Sequence, residues 1–207
     1  MRTLICTYGY RQDKIIKAMG TIEHDELVLV TGMENTQRSE YAKILELAKR
    51  FNVPVETVIV DIFDFMSCFS SIDCVVRKRQ AAKQTVAINI SGGLWLLSDA
   101  AMMAALNNGC ESYYVDDVIR KMPVMLPVLK VNIGERLTAE QKGTLLELKE
   151  GTPVSVSRSP GDASEPRLRA LRELKNMGIL SVDLSSGEAR VFLTPNGTSI
   201  RDWLRRC

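Results

Sequence analysis

Residues 86–106 read VAINISGGLWLLSDAAMMAAL. Ala87, Ile88, Asn89 and Ile90 close an apolar run too short for a helix, Ser91-Gly92-Gly93 breaks it, and an apolar helix starts at Leu94. A strand that passes through a glycine turn into a helix presents backbone N–H groups and the positive helix end beyond the sheet edge. Gly92 and Gly93, having no side chains, let a ligand or another backbone come close. A bulky residue at Gly92 is expected to block a ligand and leave the fold intact. The helix is apolar or small on nearly every face, from Leu94, Leu96 and Leu97 to Met103 and Leu106. That is more than one sheet-facing stripe uses, so the expectation is a helix lying between its own sheet and a second subunit.

Outward from this stretch, the same unit recurs upstream. Thr3–Thr7 (TLICT) is a short apolar run that ends at Tyr8-Gly9-Tyr10, after which Ile15, Ile16 and Met19 follow at helical spacing. Glu26–Thr31 (ELVLVT) breaks at Gly32 and leads to a helix marked by Tyr41, Ile44, Leu45 and Ala48. Pro54–Val60 is a third strand, a third helix lies within Asp61–Ala82, and Ser112–Val115 is a fifth strand after the one ending at Ile90. Strands that alternate with helices make βαβ units, hence a Rossmann-like, mostly parallel α/β sheet with helices on both faces. In such a sheet ligands sit beyond the carboxyl ends of the strands. The loops at Thr7-Tyr8-Gly9-Tyr10 and Thr31-Gly32 join the Ser91 turn at that edge. No GxGxxG follows the first strand, so the pattern is not a dinucleotide fingerprint. Tight strand-to-helix packing is the plain alternative use of the two glycines.

The character of the chain changes near Gly134. Met125–Ile133 reads as one more strand, placed at an edge by Pro123 and Pro127. Thr138 is then an N-cap for a helix running to Gly151, and residues 152–163 have room for a very short helix only. Ser164 caps a helix carrying Leu168, Leu171 and Leu174 inward, which stops at Gly178. Ile179–Leu184 and Ala189–Thr194 form a hairpin, and Pro195–Cys207 a last helix. Helix, short helix, helix, hairpin, helix is the order of a winged helix-turn-helix, which offers the helix before the hairpin to a major groove. The expected division is residues 1–134 and residues 135–207.

Composition restricts the chemistry. The 207 residues are 45% hydrophobic and 25% charged, ordinary for a well-cored protein, and no apolar run is long enough to span a membrane. Met1-Arg2 leads into a strand with no signal-peptide pattern, so a cytoplasmic location is expected. Five cysteines without a CxxC pair argue against a disulfide framework or a zinc site. His24 is the only histidine, so a Ser-His or Cys-His pair would have to run through it. Glu147-Leu-Lys149 and Glu173-Leu-Lys175 match the end of a metal-nuclease motif but sit at ordinary helix-surface spacing. No catalytic residue, metal or cofactor is assigned. Residues 135–207 hold 12 Lys/Arg against 10 Asp/Glu, the whole +2 excess of the chain. On the face of the 164–178 helix away from its leucines stand Arg169, Arg172 and Asn176, residue types that contact phosphates and base edges; a merely solvated face is the alternative.

TYGYRQDKIIKAM (7–19), NISGGLWLLSDAAM (89–102) and SEPRLRALRELKNMGIL (164–180) together resemble the CRISPR-associated transcription regulators of archaea. These join an N-terminal CRISPR-associated Rossmann-fold (CARF) domain to a C-terminal winged helix-turn-helix. The resemblance spans essentially the whole chain. It implies a homodimer that binds one cyclic oligoadenylate, typically the tetra-adenylate, across its two-fold axis, and double-stranded DNA through the tail. Thr7, Tyr8, Gly9, Tyr10, Asn89, Ser91, Gly92 and Gly93 would line the ligand site. Where the family often has a basic residue after the glycine, this chain has Leu94-Trp95, so Trp95 is expected to stack on an adenine. Ser164, Arg169, Arg172, Asn176 and, in the wing, Arg190 would contact DNA. Two alternatives stay open: a ring nuclease that cleaves the cyclic oligoadenylate, with Arg11 and Lys14 the nearest basic residues, and a dimerisation module with a protein-binding tail.

Overall fold

The computed structural model describes residues 1–116, 122–148, 154–155, 165–183 and 190–206. The chain forms two compact units, Met1–Asn132 and Ile133–Cys207.

In the first unit, β1 (Arg2–Thr7), β2 (Glu26–Thr31), β3 (Val55–Ile59), β4 (Thr85–Asn89), β5 (Glu111–Tyr114) and β6 (Val124–Met125) form one sheet in the order β3-β2-β1-β4-β5-β6. All pairings are parallel except β5 with β6. The register puts Leu4 of β1 between Leu27 and Ala87. With Cys6, Tyr8 and Leu29 these meet Ile15 and Ala18 of α1 (Asp13–Thr21) and Tyr41 and Ile44 of α2 (Ser39–Arg50) in one buried cluster. Alternate strand residues point to opposite faces, so the buried Ile5, Val28, Val30 and Ile88 form the other side. There α3 (Phe65–Ala81) and α4 (Trp95–Asn108) pack on the sheet and on each other.

The α3–α4 contact revises one expectation. Leu97, Ala100, Ala101, Ala104 and Ala105 of α4 are buried within the single chain, because α3 covers the second face of that helix. What remains outside is Trp95, 74% exposed, and Met103, 42% exposed. The end of α4 is tied to α3 by Asn107 and Asn108, whose side-chain amides donate to the fully buried Asp73 at 2.7 and 2.6 Å. Gly109 then stops the helix in the left-handed region at φ 63°. The expected strand over Met125–Ile133 is much shorter. β6 ends at Met125 before Pro127, which has no N–H to give a ladder, and Ile133–Arg136 is a helical turn, α5. Its edge position is as expected.

In the second unit α6 (Ala139–Glu147) starts with a full capping box, the Thr138 side chain and the Gln141 side chain each satisfying the other's backbone N–H. Residues 154–155, placed in a short-helix region by the sequence, are instead a strand, β7. It pairs with β9 (Arg190–Leu193), which pairs with β8 (Leu180–Asp183), both antiparallel. The other residues of 152–163, and Ser164, lie outside the described residues. Between β7 and β8 runs α7 (Glu165–Asn176), and α8 (Pro195–Arg206) follows β9. Leu145, Leu148, Leu171, Leu174, Ile179, Leu180 and Val191 form its buried core.

Candidate functional site

The strand order reverses between β1 and β4, and the loops that leave these two strands meet. The meeting is held by backbone. Gly9 N–H donates to Gly92 O at 2.9 Å. The N–H groups of Gly92 and Gly93 each donate to Thr7 Oγ1 at 3.2 Å, and that hydroxyl donates to the Asn89 carbonyl at 3.3 Å. A Cβ on Gly92 would lie 2.1 Å from the Thr7 carbonyl oxygen, and one on Gly93 would lie 2.8 Å from Leu97 Cδ2. Gly92 is therefore required first by the approach of β1 to the turn, whereas the crowding at Gly93 comes mainly from the Leu97 side chain of α4.

Asn89 and Ser91 extend the same scaffold. Ser91 Oγ donates to Asn89 Oδ1 at 2.6 Å and accepts Val115 N–H at 2.9 Å, which ties the turn to the end of β5. Asn89 Nδ2 donates to the Lys14 carbonyl at 3.4 Å, tying it to α1. Thr7, Tyr8 and Asn89 are fully buried. The Tyr8 ring packs 5.7 Å from that of Tyr41, within the core beneath α1 and α2. These three side chains hold the loops from behind.

Above this scaffold is a cavity of about 190 Å³, lined by Tyr10, Arg11, Lys14, Ser91, Gly92, Gly93 and Leu94. Of the residues expected there, Tyr10, Ser91, Gly92 and Gly93 line it; Thr7, Tyr8, Gly9, Asn89 and Trp95 do not. Arg11, Lys14 and Leu94 are the additions, the first two of them basic. The turn after β4 has no basic side chain; the loop after β1 brings Arg11 to it and the first turn of α1 brings Lys14. Their signal in the sequence is only that they follow a strand-end loop by one helical turn. The first N–H groups of α4 add to this positive wall, since its N-cap, Leu94, offers no side-chain acceptor.

A second surface lies on the C-terminal unit. Arg169, Arg172 and Asn176 of α7 line a cleft of about 1120 Å³ together with Thr138–Glu140 at the start of α6. Arg169 Nε lies 3.0 Å from Glu173 Oε1, and Gln141 Nε2 donates to Glu173 Oε2 at 2.7 Å. Glu147 pairs with Arg167 at 3.2 Å. The two glutamates of the ExK matches are thus engaged in ordinary surface pairs. Arg190 is exposed at the start of β9. Among the described residues no cluster of three His, Cys, Asp or Glu side chains is placed to hold a metal ion, and no helix is long and apolar enough to cross a membrane.

The family model described as HFX_2341_N:-like, N-terminal, matches residues 2–117. No curated protein matches the chain in sequence. In fold, it is similar to protein VC1899 from Vibrio cholerae, with a TM-score of 0.51 at 12% identity over 99% of this chain and 66% of that one. It is similar also to Can2 from Sulfobacillus thermosulfidooxidans in complex with cyclic tetra-adenylate, with a TM-score of 0.51 at 11% identity over 98% and 64%. A Type III CRISPR defence DNA nuclease activated by cyclic oligoadenylate gives a TM-score of 0.50 at 15% identity over 99% and 30%. The chain thus spans about two thirds of the first two chains and under a third of the last. At such identities the likeness is one of fold: an α/β, Rossmann-like, mostly parallel sheet flanked by helices.

Proposed function

Since the chain belongs to the HFX_2341_N:-like, N-terminal family, we propose that it is a dimeric, CRISPR-associated transcription regulator of an archaeal cytoplasm. Residues 1–134 act as a CARF-like domain that senses a cyclic oligoadenylate, and residues 135–207 act as a winged helix-turn-helix that binds duplex DNA. One observation carries the sensor reading. A cavity lies at the crevice where the strand order reverses, with Arg11, Lys14 and the uncapped start of α4 around a floor of glycines. Basic side chains and a helix N-terminus at such a crevice suit a polyanion, and this supports the sensor reading. Two of the structures similar in fold are described as bound to, or activated by, a cyclic oligoadenylate.

Size supports the dimer. The cavity of about 190 Å³ is smaller than the ~300–1,000 Å³ of sites that enclose a whole small ligand. A cyclic tetra-adenylate has two-fold symmetry, so two copies of the chain would each supply half of the site. Trp95 and Met103, left exposed on α4, are the apolar surface available to such a pairing.

The DNA reading rests on α7. Arg169, Arg172 and Asn176 project on one side of a helix that directly precedes a hairpin, and β7, between α6 and α7, joins the sheet of that hairpin. A winged helix offers its recognition helix from the position before its hairpin, and this supports the DNA reading.

Calorimetry with cyclic tetra- and hexa-adenylate, with light scattering of the same samples, tests the sensor. One ring bound per two chains is expected. No binding of either ring at tens of micromolar overturns the sensor, and linear products would favour the ring nuclease instead. For the tail, Arg172→Ala should weaken binding to duplex DNA and Arg190→Ala should lower the salt slope by about one. Absence of DNA binding at low salt would leave the module with a protein-binding tail.

A further inference from the structure

Two cation–aromatic pairs flank the cavity. On the side of β2, the Arg38 guanidinium stands 4.4 Å from the centre of the Tyr10 ring. On the side of β5, Lys14 Nζ stands 5.6 Å from the centre of the Tyr114 ring. Each pair contributes one residue to the cavity lining: Tyr10 from the first, Lys14 from the second.

The Tyr10 ring is 59% exposed although Arg38 lies against it. The backbone of Arg38 is fixed at the start of α2. Its N–H donates to the Asn35 carbonyl, its carbonyl accepts from the N–H groups of Tyr41 and Ala42 at the start of α2, and its guanidinium lies 3.9 Å from Glu40 Oε2. A cation over one face fixes the plane of an aromatic ring and leaves its other face for a planar group. Trp95, the aromatic that the sequence offers for an adenine, does not line this cavity.

We infer, resting on the oligoadenylate reading, that Tyr10 is the surface on which a ligand base stacks in each half of the site. Arg38 is a positioning residue that holds the ring, and Lys14 takes a phosphate. Preference for purine over pyrimidine rings then comes from the loop after β1 and the residue before α2. The glycine turn contributes shape and the Lys14 side contributes charge, neither of which distinguishes bases. Stacking strength does, because the larger purine face covers more of the ring.

The test compares two rings of equal charge, cyclic tetra-adenylate and cyclic tetra-uridylate, on the full chain by calorimetry, with thermal unfolding as the control for folding. Tyr10→Ala is expected to weaken the tetra-adenylate about 10- to 100-fold and to narrow its preference over the tetra-uridylate, while Tyr10→Phe stays within about twofold. Arg38→Ala should cost about threefold to tenfold and narrow the preference in the same direction. Lys14→Gln should weaken both rings alike and flatten the salt dependence. If Tyr10→Ala and Arg38→Ala lower both rings equally, or leave the tetra-adenylate unchanged, the inference is overturned although the sensor reading stands. The same holds if Trp95→Ala narrows the preference in their place. A wild-type protein that binds neither ring overturns the sensor reading, and this inference with it.

Discussion

The hydroxyl oxygen of Thr7 accepts the Gly92 N–H at 3.2 Å, and the Gly93 N–H at the same distance. The turn whose N–H groups the sequence offers beyond the sheet edge therefore spends two of them on β1. In the proposed sensor, charge for a ligand would come from the next positions along: the start of α4 on one side, Arg11 and Lys14 on the other. Thr7→Val keeps the shape and removes the acceptor. Leaving buried donors unmatched costs ~1–3 kcal/mol. Urea unfolding should show this loss for Thr7→Val and little for Thr7→Ser; equal stability of Val and wild type would mean the two bonds contribute nothing.

Gly92 and Gly143 make opposite predictions from the same substitution. At Gly92 a methyl group would meet the Thr7 carbonyl at 2.1 Å, so the backbone itself has to move. This corrects the expectation that a larger residue there blocks a ligand and spares the fold. Gly92→Ala should destabilise the first unit by ~1–3 kcal/mol. At Gly143, inside α6, a Cβ meets nothing within 4 Å. Gly143→Ala should stabilise the second unit by ~0.5–1 kcal/mol. Thermal unfolding of both variants decides whether the crowding at Gly92 is real.

Arg79 joins three elements. From the end of α3 its guanidinium bonds Glu26 of β2 through Nε at 3.0 Å and Nη2 at 2.5 Å, and it also bonds Glu56 of β3. Arg79 is 9% exposed, so removing it strands carboxylates in a partly buried place. Arg79→Ala should cost ~3 kcal/mol, within the range for breaking a buried pair by deleting one partner. The triple variant with Glu26→Gln and Glu56→Gln should regain part of that. Denaturant midpoints for the two would differ in that order, and equal midpoints would exclude charge as the cause.

The thiols predict an alkaline limit. Burial pushes Cys6 and Cys110 up to about 12 and Cys68 up to about 11. In the unfolded chain these groups ionise near 9, so between about pH 9 and 12 the folded state holds more protons than the unfolded one. These thiols therefore leave stability unaffected below about pH 9 and lower it as pH rises through this window. The Tyr8 hydroxyl, raised by burial and then by Glu40, acts in the same direction. At pH 8 a thiol reagent should leave Cys6, Cys68 and Cys110, which are free and buried, unlabelled until denaturant is added. Rapid native labelling of Cys6 or Cys110 would count against the burial that raises them.

Much of this protein is written in short range. The alternation of apolar runs with helical spacing determined the strand and helix order of the first unit. Gly109 ends α4 in the left-handed region, and Thr138 with Gln141 starts α6, because a cap depends on residues within four positions of it. The strand-turn-helix at Asn89–Trp95 is local for the same reason. Tertiary structure alone decided what each apolar face meets and which loops share an edge. Periodicity shows that α4 has more than one apolar face, but not that α3 covers the second. It shows neither that Thr7, 85 residues before Gly92, fills the turn's donors, nor that Lys14 of α1 comes to the same cavity as that turn while Arg38, just before α2, lies against the ring of Tyr10. Residues 154–155 became a strand because β9 gave them a ladder to join, against their turn-rich composition. A partner distant in sequence is selected by register and packing in three dimensions, and a one-dimensional pattern records the need for a partner without recording its identity.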